Sequence, residues 1–141
     1  PWVDDNERPF RLDTLAGTYT VVTMAYGACQ RVCSTSVQRI KQMQALAEER
    51  RVGLNFVVFG LDPSVDRPSD WAAYRVANRL PPSAVRFLTG SPAATQRIAR
   101  SLSIRFWRYG EHTMHDFRIV LVSLSAHIIL PPFHLGDDPA M

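Results

Sequence analysis

The chain has 141 residues, 46% hydrophobic and 21% charged, with 16 Lys+Arg against 13 Asp+Glu and a formal net charge of +3. That length can bury a core without covalent staples, in the composition range of ordinary globular domains. The arginines are scattered rather than clustered, which argues against a nucleic-acid-binding surface, and no stretch approaches the ~20 apolar residues of a membrane helix.

In chain order, residues 2–15 are polar, with Asp4-Asp5-Asn6-Glu7 as a turn and Pro9-Phe10-Arg11-Leu12 as an extended piece, and together they predict a hairpin. Gly17 precedes a strand from Tyr19 to Ala25, rich in Val and Thr. From about Val32 to Glu49 the period shifts to 3.6, with Val37, Ile40, Met43 or Gln44, and Ala47 on one face of a helix that Gly53 is expected to stop. Leu54 to Gly60 is apolar almost throughout, the pattern of a strand covered on both faces. A loop with Asp62-Pro63 and Asp66-Arg67-Pro68 follows, then a helix capped by Ser69, starting at Asp70 and stopping before Pro81-Pro82. Val85 to Gly90 reads as a strand, and Ser91-Pro92 opens a helix running to about Leu102. Three further strands are expected at 105–109, 117–122 and 126–130, before a frayed end at 137–141.

The order is hairpin, then β-α-β-α-β-α-β-β. It predicts an α/β domain of thioredoxin-like fold over residues 1–141, with a mixed central sheet flanked by helices and an N-terminal β-hairpin. No repeat, low-complexity tract or linker divides it. The chain opens at Pro1 without a Met, so it reads as a processed or trimmed product, from which an upstream signal peptide or anchor could have been removed.

The only two cysteines, Cys29 and Cys33, stand at the first strand-to-helix junction. Residues four apart on a helix share a face, with Cβ atoms about 5–6 Å apart. Their sulfurs can close a disulfide or hold a soft metal, and the helix start and Arg31 favour the thiolate in either case. The spacing is C-x-x-x-C, whereas thiol-disulfide exchange commonly uses C-x-x-C. A metal site needs at least one more ligand, from among His112, His115, His127, His134, Met24 and Met43. The plain readings stand beside these. Buried free cysteines are often core residues, Met24 and Met43 fit the core, and His127 fits an apolar strand. His112 reads as a solvated loop residue, and His134 as an exposed residue near the terminus. Asp62, Asp66 and Asp70 read as turn or capping residues.

Several motifs together resemble the Sco/SenC family of copper chaperones, named for synthesis of cytochrome c oxidase. They are Met24-Ala25-Tyr26-Gly27-Ala28-Cys29-Gln30-Arg31-Val32-Cys33, the loop Leu61-Asp62-Pro63-Ser64-Val65-Asp66-Arg67-Pro68, Phe87-Leu88-Thr89-Gly90, and His115 ahead of the strand Ile119 to Val122. The resemblance spans nearly the whole chain and implies one copper ion held by Cys29, Cys33 and His115. It departs from the family at Ser34, where Pro is usual, and at Glu7, where Gly is common. Ser123-Leu124-Ser125-Ala126 replaces the usual turn, and the family's closing helix is absent or cut off after Met141.

The expected function is therefore a copper chaperone, carrying Cu(I) or Cu(II) to the copper centre of a respiratory oxidase or another copper protein. Another copper chaperone would be its donor. It is expected to bind no nucleic acid, to work in the bacterial periplasm, and to meet the membrane only through a removed N-terminal anchor. The alternative is a thiol-disulfide reductase, with Cys29 attacking and Cys33 resolving as catalytic residues. A peroxidase is a third option, with no peroxide pocket specified by the sequence.

Overall fold

Three parallel strands carry almost no exposed surface: β3 (Thr20–Ala25) is buried throughout, β4 (Asn55–Gly60) in all but its first residue, and β5 (Arg86–Gly90) at its centre. Strands covered on both faces lack polar alternation, which is why these segments read as continuous apolar runs. The computed structural model describes residues 2–15, 17–25, 32–64, 66–81, 84–109, 112–115, 118–122 and 133–134. The 126–130 strand expected from sequence lies outside them.

β3 pairs with β4 from Thr20↔Asn55 to Ala25↔Gly60, and β4 pairs with β5, both parallel. β8 (Arg118–Val122) runs antiparallel on the other side of β3, from Thr20↔Val122 to Thr23↔Ile119. The hairpin of β1 (Trp2–Val3) and β2 (Pro9–Phe10) closes the far edge through β1 and β5, while β9 (Phe133–His134) extends beyond β8. The sheet order is β2-β1-β5-β4-β3-β8-β9, a mixed sheet with the expected N-terminal hairpin.

Helices cover both faces. Val22, Met24, Val57, Phe59, Leu88 and Val120 form one core with Ala94 and Ala99 of α3 (Pro92–Ser101) and with Trp2. Val21, Phe56, Val58, Phe87 and Ile119 form the other with Ile40 and Ala47 of α1 (Val32–Glu49) and Trp71 of α2 (Pro68–Ala77). Met43 packs half-buried against the same cluster as Ile40 and Ala47, so this part of the predicted stripe of α1 faces the sheet. Each large apolar side chain fully buried here is worth about 1.5–3 kcal/mol.

The predicted cap of α3 is present, with Ser91 Oγ accepting the amide of Ala94 at 3.1 Å. That of α2 is not. The helix starts at Pro68, with Arg67 as its cap residue, two positions ahead of Ser69, and Pro in the first turn. Asp70 accepts the Arg67 backbone amide at 3.0 Å and its Nε at 3.1 Å, and the guanidinium holds its carboxyl below the usual carboxylate range.

Nor does Gly53 stop α1. The three α-helices among the described residues all end with the same pair of backbone bonds, in which a non-glycine residue takes the left-handed conformation: Arg51 (φ 56), Arg79 (φ 55) and Ser103 (φ 56). The next amides, of Val52, Leu80 and Ile104, bond back to Ala47, Arg75 and Ala99. This is the Schellman motif, in which glycine is the usual occupant. The hairpin turn has the same feature at Glu7 (φ 62), which explains why glycine suits that position.

Two other sequence expectations change. β6 (Phe106–Tyr109) does not join the main sheet; it pairs with β7 (His112–His115) as a separate two-stranded sheet. β9 follows Pro131-Pro132, where the last strand was expected to end.

One buried ion pair fastens the hairpin to the body. Arg75 Nε and Nη2 donate to the two carboxylate oxygens of Asp5 at 2.8 and 3.1 Å. Nη1 donates to the Pro81 carbonyl at 2.8 Å and Nη2 to that of Val85 at 2.6 Å, with the Phe87 ring 5.0 Å from the guanidinium. Both side chains are about nine-tenths buried. Removing one partner of such a pair costs about 3–5 kcal/mol, so Asp5→Ala should lower unfolding stability by that order in a urea melt. In the same assay Arg51→Gly or Ser103→Gly should raise stability by about 0.5–1 kcal/mol, since both residues are exposed and gain only backbone relief.

Candidate metal centre

In open α/β sheets, ligand sites collect beyond the carboxyl ends of the strands. Here that edge carries the ends of β3 and β4. β3 stops at Ala25 and α1 begins at Val32, so the chain between them crosses the edge. Cys33 is the second residue of α1, in its first turn, where helix amides favour an anionic thiolate. Ser34 follows in the same turn, the part of a helix that tolerates either Ser or Pro. Cys29 and Arg31 lie outside the described residues, and the cysteine separation is not among the described geometry.

His115 ends β7, opposite Phe106 of β6, rather than occupying the loop expected from sequence. Only residues 116 and 117 separate it from Arg118 at the start of β8. β8 runs antiparallel to β3 with Thr23 opposite Ile119, so its first residue stands level with Met24. Three residues of chain span at most about 10 Å. The backbone of His115 is therefore tethered close to the edge that β3 delivers to the cysteine segment. Donors of this kind, two soft thiolates and an imidazole, are those that copper and zinc accept. Among the described residues no group of three or more His, Cys, Asp and Glu side chains gathers into a metal cluster.

Of the other candidates Met24 takes its plain reading, whereas His112, expected in a loop, is the first residue of β7, and His134 belongs to β9. Met24 is buried in the core between Val22 and Phe59, and His112 stands opposite Tyr109 at the far end of β7. His127 lies outside the described residues.

The acidic loop is structural, and it builds the floor of this edge. Leu61 donates its amide to the Ala25 carbonyl at 2.9 Å, holding the loop start against the end of β3. Asp62 folds the turn by accepting both the amide and the hydroxyl of Ser64, at 3.0 and 2.6 Å. Asp66 is wholly buried and accepts the amide of Asp62 at 2.9 Å. Thr89 Oγ1 donates to the carbonyl of Asp66 at 3.0 Å, so the loop and the Phe87-Leu88-Thr89-Gly90 strand lock together. Two glycines permit close approach. A Cβ at residue 60 would stand 2.8 Å from Trp71 Nε1, and one at residue 90 would stand 2.7 Å from the Trp2 ring. The sequence signal for this lock was the pairing of the two motifs; the partners themselves, 23 residues apart, were not readable.

A chain that folds as a mixed thioredoxin-like sheet, with a cysteine at the first helix start and a histidine tethered to the same edge, falls in the class of thioredoxin-like thiol proteins. The sequence profile of the SCO1/SenC family matches residues 2–129, and the chain belongs to that family. A Stutzerimonas stutzeri protein named for a proposed copper-binding role is 28% identical over 139 residues, covering 92% of this chain and 67% of its own. The crystal structure of a SCO1/SenC family lipoprotein from Bacillus anthracis superposes with a TM-score of 0.89 at 20% identity, over 98% of this chain and 84% of that one. Copper-bound ScoI of Arabidopsis thaliana gives 0.82 at 20% identity, over 99% and 87%.

Thr89→Val should cost about 1–3 kcal/mol in thermal or urea unfolding, because it leaves the buried Asp66 carbonyl without that donor. A neutral result would show that the loop and strand are not coupled through this bond.

Proposed function

We propose that this protein is a copper chaperone, binding one copper ion as cargo through Cys29, Cys33 and His115 and handing it to the copper centre of a respiratory oxidase. The observation that carries the reading is membership of the SCO1/SenC family across nearly the whole chain. The tether of His115 to the carboxyl end of β3, ahead of the cysteine segment, supports it. So does the naming of the Stutzerimonas relative and the copper in the Arabidopsis structure.

The chemistry follows from the donors. Thiolates select Cu(I) over harder ions, and an imidazole completes a three-coordinate site while also suiting Cu(II). Amides at a helix start favour the thiolate, the form of cysteine that binds metal. Surface arginines steer an acidic acceptor, and a second copper chaperone serves as donor. Residues 1–141 act as one thioredoxin-like unit. The unit faces the periplasm, and the lipoprotein character of the Bacillus structure supports a membrane-tethered form. No helix among the described residues is long and apolar enough to cross a membrane.

Anaerobic titration of the reduced protein with Cu(I), against a competing chelator, should show one tight equivalent. Cys29→Ser and Cys33→Ser should each weaken it, and His115→Ala should weaken the Cu(II) complex by about tenfold or more. No copper affinity, with disulfide reduction unchanged in His115→Ala, would instead establish the thiol-disulfide reductase.

A further inference from the structure

The arginines look scattered along the sequence, yet residues 71–110 hold seven of them and no Asp or Glu. Arg75 is buried against Asp5. Arg97 and Arg100 stand exposed on α3, three residues apart and so neighbours on its outer side. Ala94, Ala99 and Leu102 face the core that Leu88 lines, so α3 doubles back over β5 after the single residue Ser91. β5 advances about 13 Å from Arg86 to Gly90 and α3 returns about as far, which brings Arg100 level with Arg86 at the foot of β5. Arg86 alternates with Phe87 and so shares the Leu88 side, where its guanidinium lies 5.2 Å from the Phe10 ring. None of the ion pairs among the described residues uses Arg86, Arg97 or Arg100. Asp4 and Asp5 line a small pocket with Arg86, and Asp5 is already bound by Arg75; α3 itself carries no acid.

We propose that the outer side of α3 is a docking surface for an anionic phospholipid membrane, with Arg97 and Arg100 as its contacts and Arg86 at its margin. Two observations select a lipid surface over a protein that takes the copper. The patch lies across the sheet from the face that α1 covers, and toward the opposite end from the carboxyl edge, so a partner seated on it stands away from the segment that follows β3. Protein interfaces also centre on apolar side chains, whereas the large apolar side chains exposed among the described residues, Tyr19, Val52 and Val76, are all off α3. Guanidinium groups on a helix side without large apolar residues suit phosphate headgroups, which present charge across a whole surface and require no shape match. Each arginine brought to an anionic surface multiplies partitioning by about five, so the contact is weak and reversible. It orients the domain, leaving the α1 face open. The sequence expectation that the chain meets a membrane through an N-terminal anchor alone is thereby widened, independently of the copper reading.

The test is co-sedimentation of the metal-free protein with vesicles of pure phosphatidylcholine or of equal parts phosphatidylcholine and phosphatidylglycerol. At low salt the parent should bind the anionic vesicles and not the neutral ones, and should release as salt rises. Arg97→Ala combined with Arg100→Ala should weaken that binding by about twentyfold or more, and Arg97→Lys combined with Arg100→Lys, which keeps the charge, should retain it. Arg50→Ala combined with Arg51→Ala removes as much charge beyond the end of α1 and should match the parent. All four arginines are exposed, and unchanged urea midpoints check that each variant is folded. Equal losses in the two double-alanine variants would overturn the inference in favour of net charge alone. Failure of the parent to bind anionic vesicles would overturn it, as would tighter binding to polyglutamate than to vesicles of the same charge concentration, which would mark an acidic protein as the partner. The readout is metal-free, so any of these failures leaves the copper reading to its own titration.

Discussion

The Arg75–Asp5 pair is the contact on which the far side of the sheet depends. A guanidinium nine-tenths buried is costly unless every direction in which it donates finds an acceptor. Here one carboxylate and two carbonyls take its donors, and the Phe87 ring covers its face. The four groups come from the N-terminal hairpin, the connection after α2, and β5. Satisfying one side chain thus requires that three distant segments arrive together. The hairpin cannot dock on β5 by its two short strands alone, since two-residue strands make few ladder bonds. The ion pair and the Trp2 ring, edge-on to Phe59 at 4.8 Å and lying over Gly90, supply what the ladder lacks.

That dock matters to the other end of the molecule through β4 and β5. With its outer neighbour in place, β5 is an interior strand, and Thr89 can hold the buried Asp66 loop against the carboxyl edge. The loop in turn begins on the Ala25 carbonyl, the last residue of β3 before the cysteine segment. The family motifs therefore divide by physical role. The aspartate-proline loop and the Phe-Leu-Thr-Gly strand shape and stiffen the edge, and the cysteines and histidine are the proposed copper donors.

The sequence made the central strands legible because burial on both faces leaves runs of Val, Phe and Leu that fit little else. It made α1 legible through Ile40, Met43 and Ala47, and α3 through Ser91-Pro92. It hid whatever depends on partners far along the chain. Arg67 is no usual cap residue, so the start of α2 was placed at Ser69. The left-handed residues Arg51, Arg79 and Ser103 carry no local signature, because three helices end there without glycine. The 106–109 strand looks the same whether it joins the main sheet or pairs with 112–115. In the candidate site, Cys29 and Cys33 stood out as the only cysteines. His115 rose above the other histidines through the family resemblance, and the strand placement of His134 stayed hidden because it is set by pairing across β8.

That pairing makes register the controlling variable of the site. β8 is apolar after its first residue, and sheet faces covered on both sides give no alternation to fix its alignment. What fixes it is the contrast between its ends. A slip of one residue inward would set Arg118 opposite Thr23, which has no solvent exposure, and would bury a charge without a designed partner. A slip outward would withdraw Val120, also fully buried, from its place opposite Val22. The arginine at the strand start thus works as a stop. By holding β8 at one alignment it also holds the backbone of His134 beside it and limits how far His115 can stray. Backbone positions on separate strands then share a single reference point, although no short motif contains them.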